Sequence, residues 1–256
     1  MIEANAIYVL VAREFKKFIR EKSRLISTIA RPLIWLFLVG GGMSRLVSPG
    51  AGTMGGITYI QFIFPGILGM TILFSAIFSS ISIIWDKEFG LMKEILVAPV
   101  SRLSIVLGKA LSGTIVSVIQ AVIILALFPF LGIRIGVFSI IETVLICTLL
   151  SFCIASLGIV IATFYESFES FSVIMNFIVM PMFFLSGAMY PVKLLPDILK
   201  ILTRLNPFTY GIDALKHAIF RDGGVYDFSL VTDIGVLIVT SIVFVVIAGI
   251  MFERKK

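Results

Sequence analysis

Side chains that carry enzymatic chemistry are sparse in this sequence. His217 is the only histidine, and we expect it to be an ordinary interfacial residue. Cys147 and Cys153 are six residues apart and therefore about 240° apart around a helix, which rules out a disulfide between them. No cluster of histidine, cysteine and carboxylate residues with metal-ligand spacing is recognisable, so the sequence predicts no metal site.

A nucleotide site is not predicted either. Gly108-Lys109 is followed by Ala110, and Leu103 stands where a phosphate-binding loop needs its first glycine. Glu142 is the only acidic residue well inside an apolar run, so paired carboxylates for a proton relay are missing. We therefore expect this chain not to be an enzyme and to bind no cofactor of its own.

A stripe of hydroxyl groups is the first feature that suits transport. Four residues at intervals of four, four and three share one face of a helix: Thr71, Ser75, Ser79 and Ser82. In a membrane such a stripe either packs against a neighbouring helix or lines a substrate path, and the sequence leaves both alternatives open.

A short stretch of mixed polarity follows that stripe. Its residues are Asp86, Lys87, Glu88, Phe89, Gly90, Leu91, Met92, Lys93, Glu94, Ile95 and Leu96. Apolar side chains framed by charges are typical of a protein contact surface, whereas a solvated loop does not need them. We predict a docking element here; a plain polar connector is the alternative.

The elements that position these residues are membrane spans. The chain has 256 residues, of which 59% are hydrophobic and 14% charged, whereas soluble domains are about 45–50% apolar and about 25% charged. One soluble core cannot hide this excess of apolar side chains. The composition argues against a soluble enzyme, a disordered protein and a nucleic-acid binder.

Uncharged runs give the number of spans. Five of them, residues 46–85, 110–133, 143–165, 170–192 and 234–252, are long enough to cross the roughly 30 Å of hydrocarbon. A sixth run is bracketed by Arg31 and Arg45, which can reach the interfaces. We predict one all-α integral membrane domain over residues 1–256, with spans at about 28–47, 58–85, 103–131, 138–163, 172–189 and 230–252.

Basic residues indicate the orientation. Fourteen of the 21 lysines and arginines fall on the side that holds both termini and the 86–102 loop. The positive-inside rule makes that side cytoplasmic. The net charge of +6 is therefore a signal of topology and not of a nucleic-acid partner.

Two further segments are amphipathic. Residues 3–24 predict a helix with basic residues opposite an apolar face, lying on lipid phosphates or docking a protein. The 190–229 outer loop predicts two short helices separated at Asn206-Pro207, which lie in or dip into the outer leaflet. Within the fourth span, the small residues Ser151, Ala155, Gly158 and Ala162 predict close helix packing.

Three motifs, in this order, resemble one family. They are Glu-x-Gly followed by Glu94 and Pro-Val-Ser-Arg within residues 85–102, Leu-Ser-Gly-Ala-Met-Tyr-Pro at 185–191, and Asn-Pro-Phe-Thr-Tyr at 206–210. Together with six spans in about 250 residues, they resemble the ABC-2-type permeases, membrane subunits of ATP-binding-cassette exporters, and the daunorubicin-resistance-type branch fits best. In this family an arginine often flanks Glu-x-Gly, whereas Asp86-Lys87 precede it in this chain.

That resemblance implies partners and roles. The permease would work as a homodimer, or with a similar permease, in a prokaryotic inner membrane, with two ATP-binding subunits that carry ATP and Mg²⁺. Residues 86–96 would be the coupling helix, the 3–24 helix would be the family's connecting helix, and the outer helices would be re-entrant. Membrane lipids, and no nucleic acid, would be the other contacts, and the cargo would be an amphipathic drug, a lipid or a lipid-linked glycan.

Two other functions remain as alternatives. A membrane-embedded lipid-modifying enzyme would need histidine, aspartate or glutamate clustered at one membrane face. A partner-independent secondary transporter would need ionisable residues in mid-membrane for ion coupling.

Overall fold

A computed structural model describes residues 3–43, 57–91, 100–133, 135–221 and 225–254. All long elements in these ranges are helices, so the predicted all-α class is confirmed. We number them α1 (Ala4–Arg20), α2 (Lys22–Trp35), α3 (Tyr59–Ser79), α4 (Ile81–Glu88), α5 (Arg102–Leu125), α6 (Val137–Phe164), α7 (Phe168–Phe184), α8 (Asp197–Leu205), α9 (Pro207–Ile219) and α10 (Leu230–Arg254).

Four helical segments are long and apolar enough to cross a membrane. They are Tyr59–Glu88, which combines α3 and α4, Arg102–Leu125, Val137–Phe164 and Leu230–Glu253. Two shorter apolar helices, Ala30–Met43 and Phe168–Phe184, coincide with the first and fifth predicted spans. The second half of the 28–47 prediction reaches residues outside the described ranges.

Helix starts follow local sequence chemistry. The Thr58 backbone N–H donates to Gln61 Oε1 at 2.9 Å before α3, and Ser101 Oγ accepts from Ser104 N at 3.2 Å before α5. Such caps satisfy backbone groups that the first turn leaves unpaired. The spans therefore begin where a polar cap precedes the apolar run.

The amino-terminal helices differ from the predicted boundary. The chain leaves helical conformation at Glu21 (φ −84°, ψ 69°), so α1 is shorter than the predicted 3–24 helix and α2 begins before the predicted span. Pro32 lies inside α2 instead of at its first position, and a π-helical turn follows at Leu36–Gly40. A proline removes one backbone donor, which is a known cause of such irregularity.

The bundle is centred on α6, which packs against α3, α5, α9 and α10. The α3–α4 segment is the most buried of the four long apolar segments and α10 is the least. Helix α1 packs along α5, where Leu10 lies over Gly108. This amphipathic helix, for which the sequence left lipid phosphates or a protein as the contact, therefore packs on its own bundle through its apolar side.

Small residues let α6 approach α3, as predicted. Ser151, Ala155, Gly158 and Ala162 are all buried. A Cβ at Gly158 would lie 2.5 Å from Ser80 Oγ and 3.3 Å from Ile77 Cα. Because Ile77 Cα is backbone, a larger side chain has to separate the two helices.

Gly158→Leu should therefore destabilise the protein by about 1–3 kcal/mol through overpacking. Gly235→Leu is the matched control, because Gly235 is an exposed α10 glycine with nothing within 4 Å of an added Cβ. We expect a lower melting temperature in detergent for the first variant only. Equal melting temperatures would contradict this packing assignment.

Candidate functional site

A cavity of about 320 Å³ lies between the amino-terminal helices and the second predicted span. Its walls come from α1 and α2 on one side and from α3 and α4 on the other, with Phe168 of α7 beside them. All four residues of the predicted hydroxyl stripe, Thr71, Ser75, Ser79 and Ser82, line it. The structure thus places the stripe on a cavity.

The four hydroxyl groups differ in their hydrogen bonding. Thr71 donates to Ile67 O at 3.0 Å, and Ser79 donates to Ala76 O at 2.6 Å. Ser82 accepts from Lys109 Nζ at 3.1 Å. Ser75 Oγ is buried and has no hydrogen-bond partner among the described residues. Ser75 is therefore the hydroxyl that is available to a molecule in the cavity.

Aromatic and charged side chains share the cavity wall. Lys17 Nζ lies 3.9 Å from the centroid of the Trp85 ring, and Arg31 Cζ lies 4.7 Å from that of Phe74. Burial lowers the pKa of Lys17 despite nearby carboxylates. These cation–π contacts place positive charge beside apolar surface, which suits an amphipathic molecule.

A buried ion cluster closes one end of this cavity. Lys109 Nζ donates to Asp86 Oδ2 at 2.6 Å and to Glu14 Oε1 at 3.0 Å. Arg13 Nη2 adds a bond of 3.1 Å to Asp86 Oδ2. The Lys109, Asp86 and Glu14 side chains are only 3%, 8% and 13% exposed. The cluster joins α1, α4 and α5.

The electrostatics of the cluster favour its charged state. Burial alone would raise the pKa of Glu14, but Lys109 and Arg13 together lower it below its ordinary value. Desolvation opposes the Arg13 charge, while Glu14 and Asp86 raise the Arg13 pKa overall. Both pKa shifts favour the charged, paired forms of Glu14 and Arg13.

Residues at the start of the predicted coupling stretch have structural partners. Lys87 Nζ donates to the carbonyl oxygens of Ala162 (2.7 Å) and Tyr165 (2.8 Å) at the end of α6. Glu88 Oε1 accepts from Phe168 N at 3.1 Å at the start of α7. Like Asp86, these two side chains fix helix ends within the bundle.

The exposed part of the stretch begins after them. Phe89 is 75% exposed and Leu91 is 42% exposed, and Gly90 has a left-handed φ of 75°, which suits glycine. Met92, Lys93, Glu94 and Leu96 lie outside the described residues. Within the described ranges, the docking prediction therefore rests on Phe89 and Leu91.

At the opposite end of the bundle, Asn206 separates α8 from α9. Its Oδ1 accepts from Phe208 N at 3.1 Å, its Nδ2 donates to Met182 O at 2.7 Å, and Pro207 occupies the first position of α9. Helix α9 is buried between the spans, whereas α8 leaves Ile198 and Leu205 exposed. The junction thus turns the chain from the surface into the bundle.

Sequence reasoning missed one cluster near α9. One ligand atom from each of Asp213, His217 and Asp233 lies within 4.8 Å of the others. The expectation that histidine and carboxylates do not cluster is therefore wrong. The sequence signal was the four-residue spacing of Asp213 and His217, which places both side chains on one helix face. Asp233 joins them only through tertiary packing.

Two other sequence candidates are accounted for by packing. Glu142 Oε2 accepts from Arg221 Nη2 at 2.9 Å, so this carboxylate is paired at the bundle surface. Cys147 and Cys153 are buried free thiols, as their spacing predicts.

Lys109→Met should destabilise the protein by about 3–5 kcal/mol, because it leaves two buried carboxylates undercompensated. Adding Asp86→Asn should recover part of that loss. Arg221→Met, which breaks the exposed pair with Glu142, should cost under about 1 kcal/mol and is the control. Thermal unfolding in detergent measures all three, and equal losses for Lys109→Met and Arg221→Met would contradict the buried cluster.

Ser75→Cys should react with a small maleimide, since Ser75 lines the cavity. Ser117→Cys is the matched control, because Ser117 is 0% exposed within α5 and lines no part of the cavity. The native cysteines are 1% and 0% exposed, so their background should be low. Equal labelling of the two variants would show that the cavity is closed to solutes.

Comparison with known proteins agrees with this architecture. A family profile described as ABC-2 type transporter matches residues 5–220. The putative transport permease ycf38 of Cyanophora paradoxa is 30% identical over 256 residues, which cover 97% of this chain and 88% of the relative.

Two bacterial relatives extend the comparison. The inner membrane transport permease YadH of Escherichia coli strain K12 is 28% identical over 256 residues, covering 98% of this chain and 96% of the relative. Nodulation protein J of Rhizobium meliloti is 28% identical over 202 residues, which cover 75% of this chain and 72% of the relative. This chain belongs to the ABC-2 type transporter family, and it is a multi-pass transport permease of the inner membrane.

Proposed function

We propose that this protein is the membrane subunit of an ATP-driven exporter and that the cavity between α1–α2 and α3–α4 is part of its translocation path. The observation that carries the proposal is the position of the hydroxyl stripe. Thr71, Ser75, Ser79, Ser82 and Trp85 line a cavity, and the helical segment that carries them ends at the exposed turn at Phe89. The residues proposed to line the substrate path and the turn proposed to dock the ATPase thus belong to one helical segment, α3–α4.

Three consecutive side chains at the end of α4 bind three other helices. Asp86 is tied to α5, Lys87 to the end of α6 and Glu88 to the start of α7. A force on the Phe89 turn is therefore transmitted to several helices together and not absorbed by local bending. Closure of an ATPase dimer against this turn would shift the cavity walls and expose the cargo to the far side.

ATP chemistry belongs to separate subunits in this proposal. Two ABC ATP-binding subunits would hold ATP and Mg²⁺, and this chain would contribute docking surface and path. The family membership supports an ATP-binding partner in general. The purified permease alone should accordingly hydrolyse no ATP.

A dimer of this chain, or a pair with a similar permease, would complete the path. The short helices beside the cavity expose large apolar side chains, such as Phe37 (70%) of the turn after α2 and Phe177 (77%) of α7. A second copy facing these helices would cover apolar surface and enclose the cavity. We further propose six spans, with Ala30–Met43 and Phe168–Phe184 as the short ones, and both termini in the cytoplasm.

The lining chemistry points to the class of cargo. Phe74, Phe78 and Trp85 supply aromatic surface, the hydroxyl groups supply hydrogen bonds, and two cationic side chains, Lys17 and Arg31, are balanced by two carboxylates, Glu14 and Glu21. A molecule with an apolar body and a polar head fits this combination, which includes amphipathic drugs, lipids and lipid-linked glycans. We assign the protein to the daunorubicin-resistance-type branch on its sequence motifs alone.

Phe89→Asp should weaken association with the ATP-binding subunit at least about tenfold, because an exposed aromatic at a contact centre commonly dominates binding. Co-purification of the two subunits and substrate-stimulated ATP hydrolysis measure the effect. Phe130→Asp is the matched control, since Phe130 is 86% exposed at the opposite end of the bundle.

Glu94→Lys tests the rest of the stretch in the same assay and should also reduce association without unfolding the permease. Unchanged association for both Phe89→Asp and Glu94→Lys would remove the docking assignment. ATP hydrolysis by the purified permease without any partner would contradict the proposal as a whole.

A further inference from the structure

The cluster of Asp213, His217 and Asp233 lies away from the cavity. It is at the end of the bundle opposite α1, where α9 packs against the first turns of α10. Asp213 and His217 share one face of α9, and Asp233 comes from the start of α10. Neither the docking turn nor the hydroxyl stripe uses these residues.

Asp233 is the residue that needs an explanation. Its side chain is 0% exposed, and neither carboxylate oxygen has a hydrogen-bond partner among the described residues. A buried carboxylate without a partner is costly, so it has to be neutralised by a proton, a cationic side chain or a bound cation. Asp233 Oδ2 faces His217 Nε2 at 3.9 Å.

The nearest buried lysine does not neutralise it by direct contact. Lys216 Nζ donates to Gly187 O at 2.9 Å and lies 5.0 Å from the Phe62 ring centroid. Within the described ranges it forms no ion pair with a carboxylate within 4.0 Å. Asp227 adds a further carboxyl group beside the cluster, because its backbone N–H donates to the Asp213 carboxylate. Carboxyl groups therefore outnumber cationic side chains at this point.

The other two side chains are held in position. Asp213 accepts from Asp227 N at 2.9 Å and from Phe228 N at 2.7 Å, which leaves lone pairs free on its oxygens. The His217 ring stacks on Tyr226 at a centroid distance of 3.8 Å, and its Nε2–H donates to Phe228 O at 2.9 Å, which leaves Nδ1 as the nitrogen with a free lone pair. The loop before α10 thus orients both side chains, as hydrogen bonds to the non-ligating atoms of metal ligands commonly do.

We propose that Asp213, His217 and Asp233 bind a divalent first-row transition-metal ion that ties α9 to α10. One imidazole and two carboxylates form a mixed nitrogen and oxygen donor set, which suits Zn²⁺ better than Mg²⁺ or Ca²⁺. Three protein ligands leave positions for water. Because the ligand atoms span up to 4.8 Å, the side chains close around the ion by about 1 Å on binding.

The test is Zn²⁺ titration of the purified full chain in detergent after treatment with a chelator. We expect one ion per chain for the wild type and at least about tenfold weaker binding for Asp233→Asn and His217→Gln. Asp197→Asn is the matched control, because that carboxylate belongs to α8 and is 96% exposed. Zn²⁺ should also raise the melting temperature of the wild type and of the control, but not of Asp233→Asn.

Two results would overturn the proposal. One is Zn²⁺ binding by Asp233→Asn that is as tight as in the wild type. The other is a wild type that binds no Zn²⁺, since the buried carboxylate would then be neutralised by a proton. If Asp233→Asn does not fold, the same comparison with His217→Gln decides the question.

Discussion

The buried pair between Lys109 and Asp86 is the interaction on which the rest of the architecture depends. Lys109 is 3% exposed and Asp86 is 8% exposed, so neither charge is tolerated without the other. Glu14 completes the pair from α1, and the cavity therefore has both of its walls fixed at one end by the same ammonium group. The exposed turn at Phe89 begins three residues after Asp86, so the docking surface also depends on this pair.

The sequence predicts the fold where its signal is local. Uncharged runs predict the helices, the small residues around Gly158 predict close packing of α6 without naming its partner, and Asn206-Pro207 predicts the junction between α8 and α9. Each signal needs only the residues of one segment and the physics of burial in lipid. The spacing from Thr71 to Ser82 predicts the stripe as a set, and only the structure shows that a cavity lies beside it.

The pairings across the bundle were beyond such reasoning. Lys109 counts in sequence as one more basic residue near the cytoplasm, yet its partners Asp86 and Glu14 are 23 and 95 residues away. Lys87 is read as a docking residue because it is charged and lies in a loop-like stretch, and only the structure shows it capping α6. Asp233 similarly meets His217 through the packing of α9 on α10. Buried ionic contacts are tertiary, and local periodicity carries no information about them.

Burial also separates the competing functions. A lipid-modifying enzyme needs clustered ionisable groups that open toward its substrate, whereas Asp213 is 3% exposed and Asp233 is closed off by α9. A cavity is found instead at the other end, lined by hydroxyl, aromatic and charged groups that suit the binding of a solute.

The distribution of fixed and free surfaces indicates which parts move. The far end of α3 is held where Gly66 meets the Ala188 backbone, and α4 is held by its ionic contacts. By contrast, α2 and α7 touch through the edge-on pair of Trp35 and Phe183 and expose apolar side chains elsewhere. Apolar contacts without directional bonds slide at little cost, since lipid replaces them with similar dispersion energy. Opening of the cavity should therefore slide α2 along α7, while the α3–α4 segment and the start of α7, which Glu88 joins, move together.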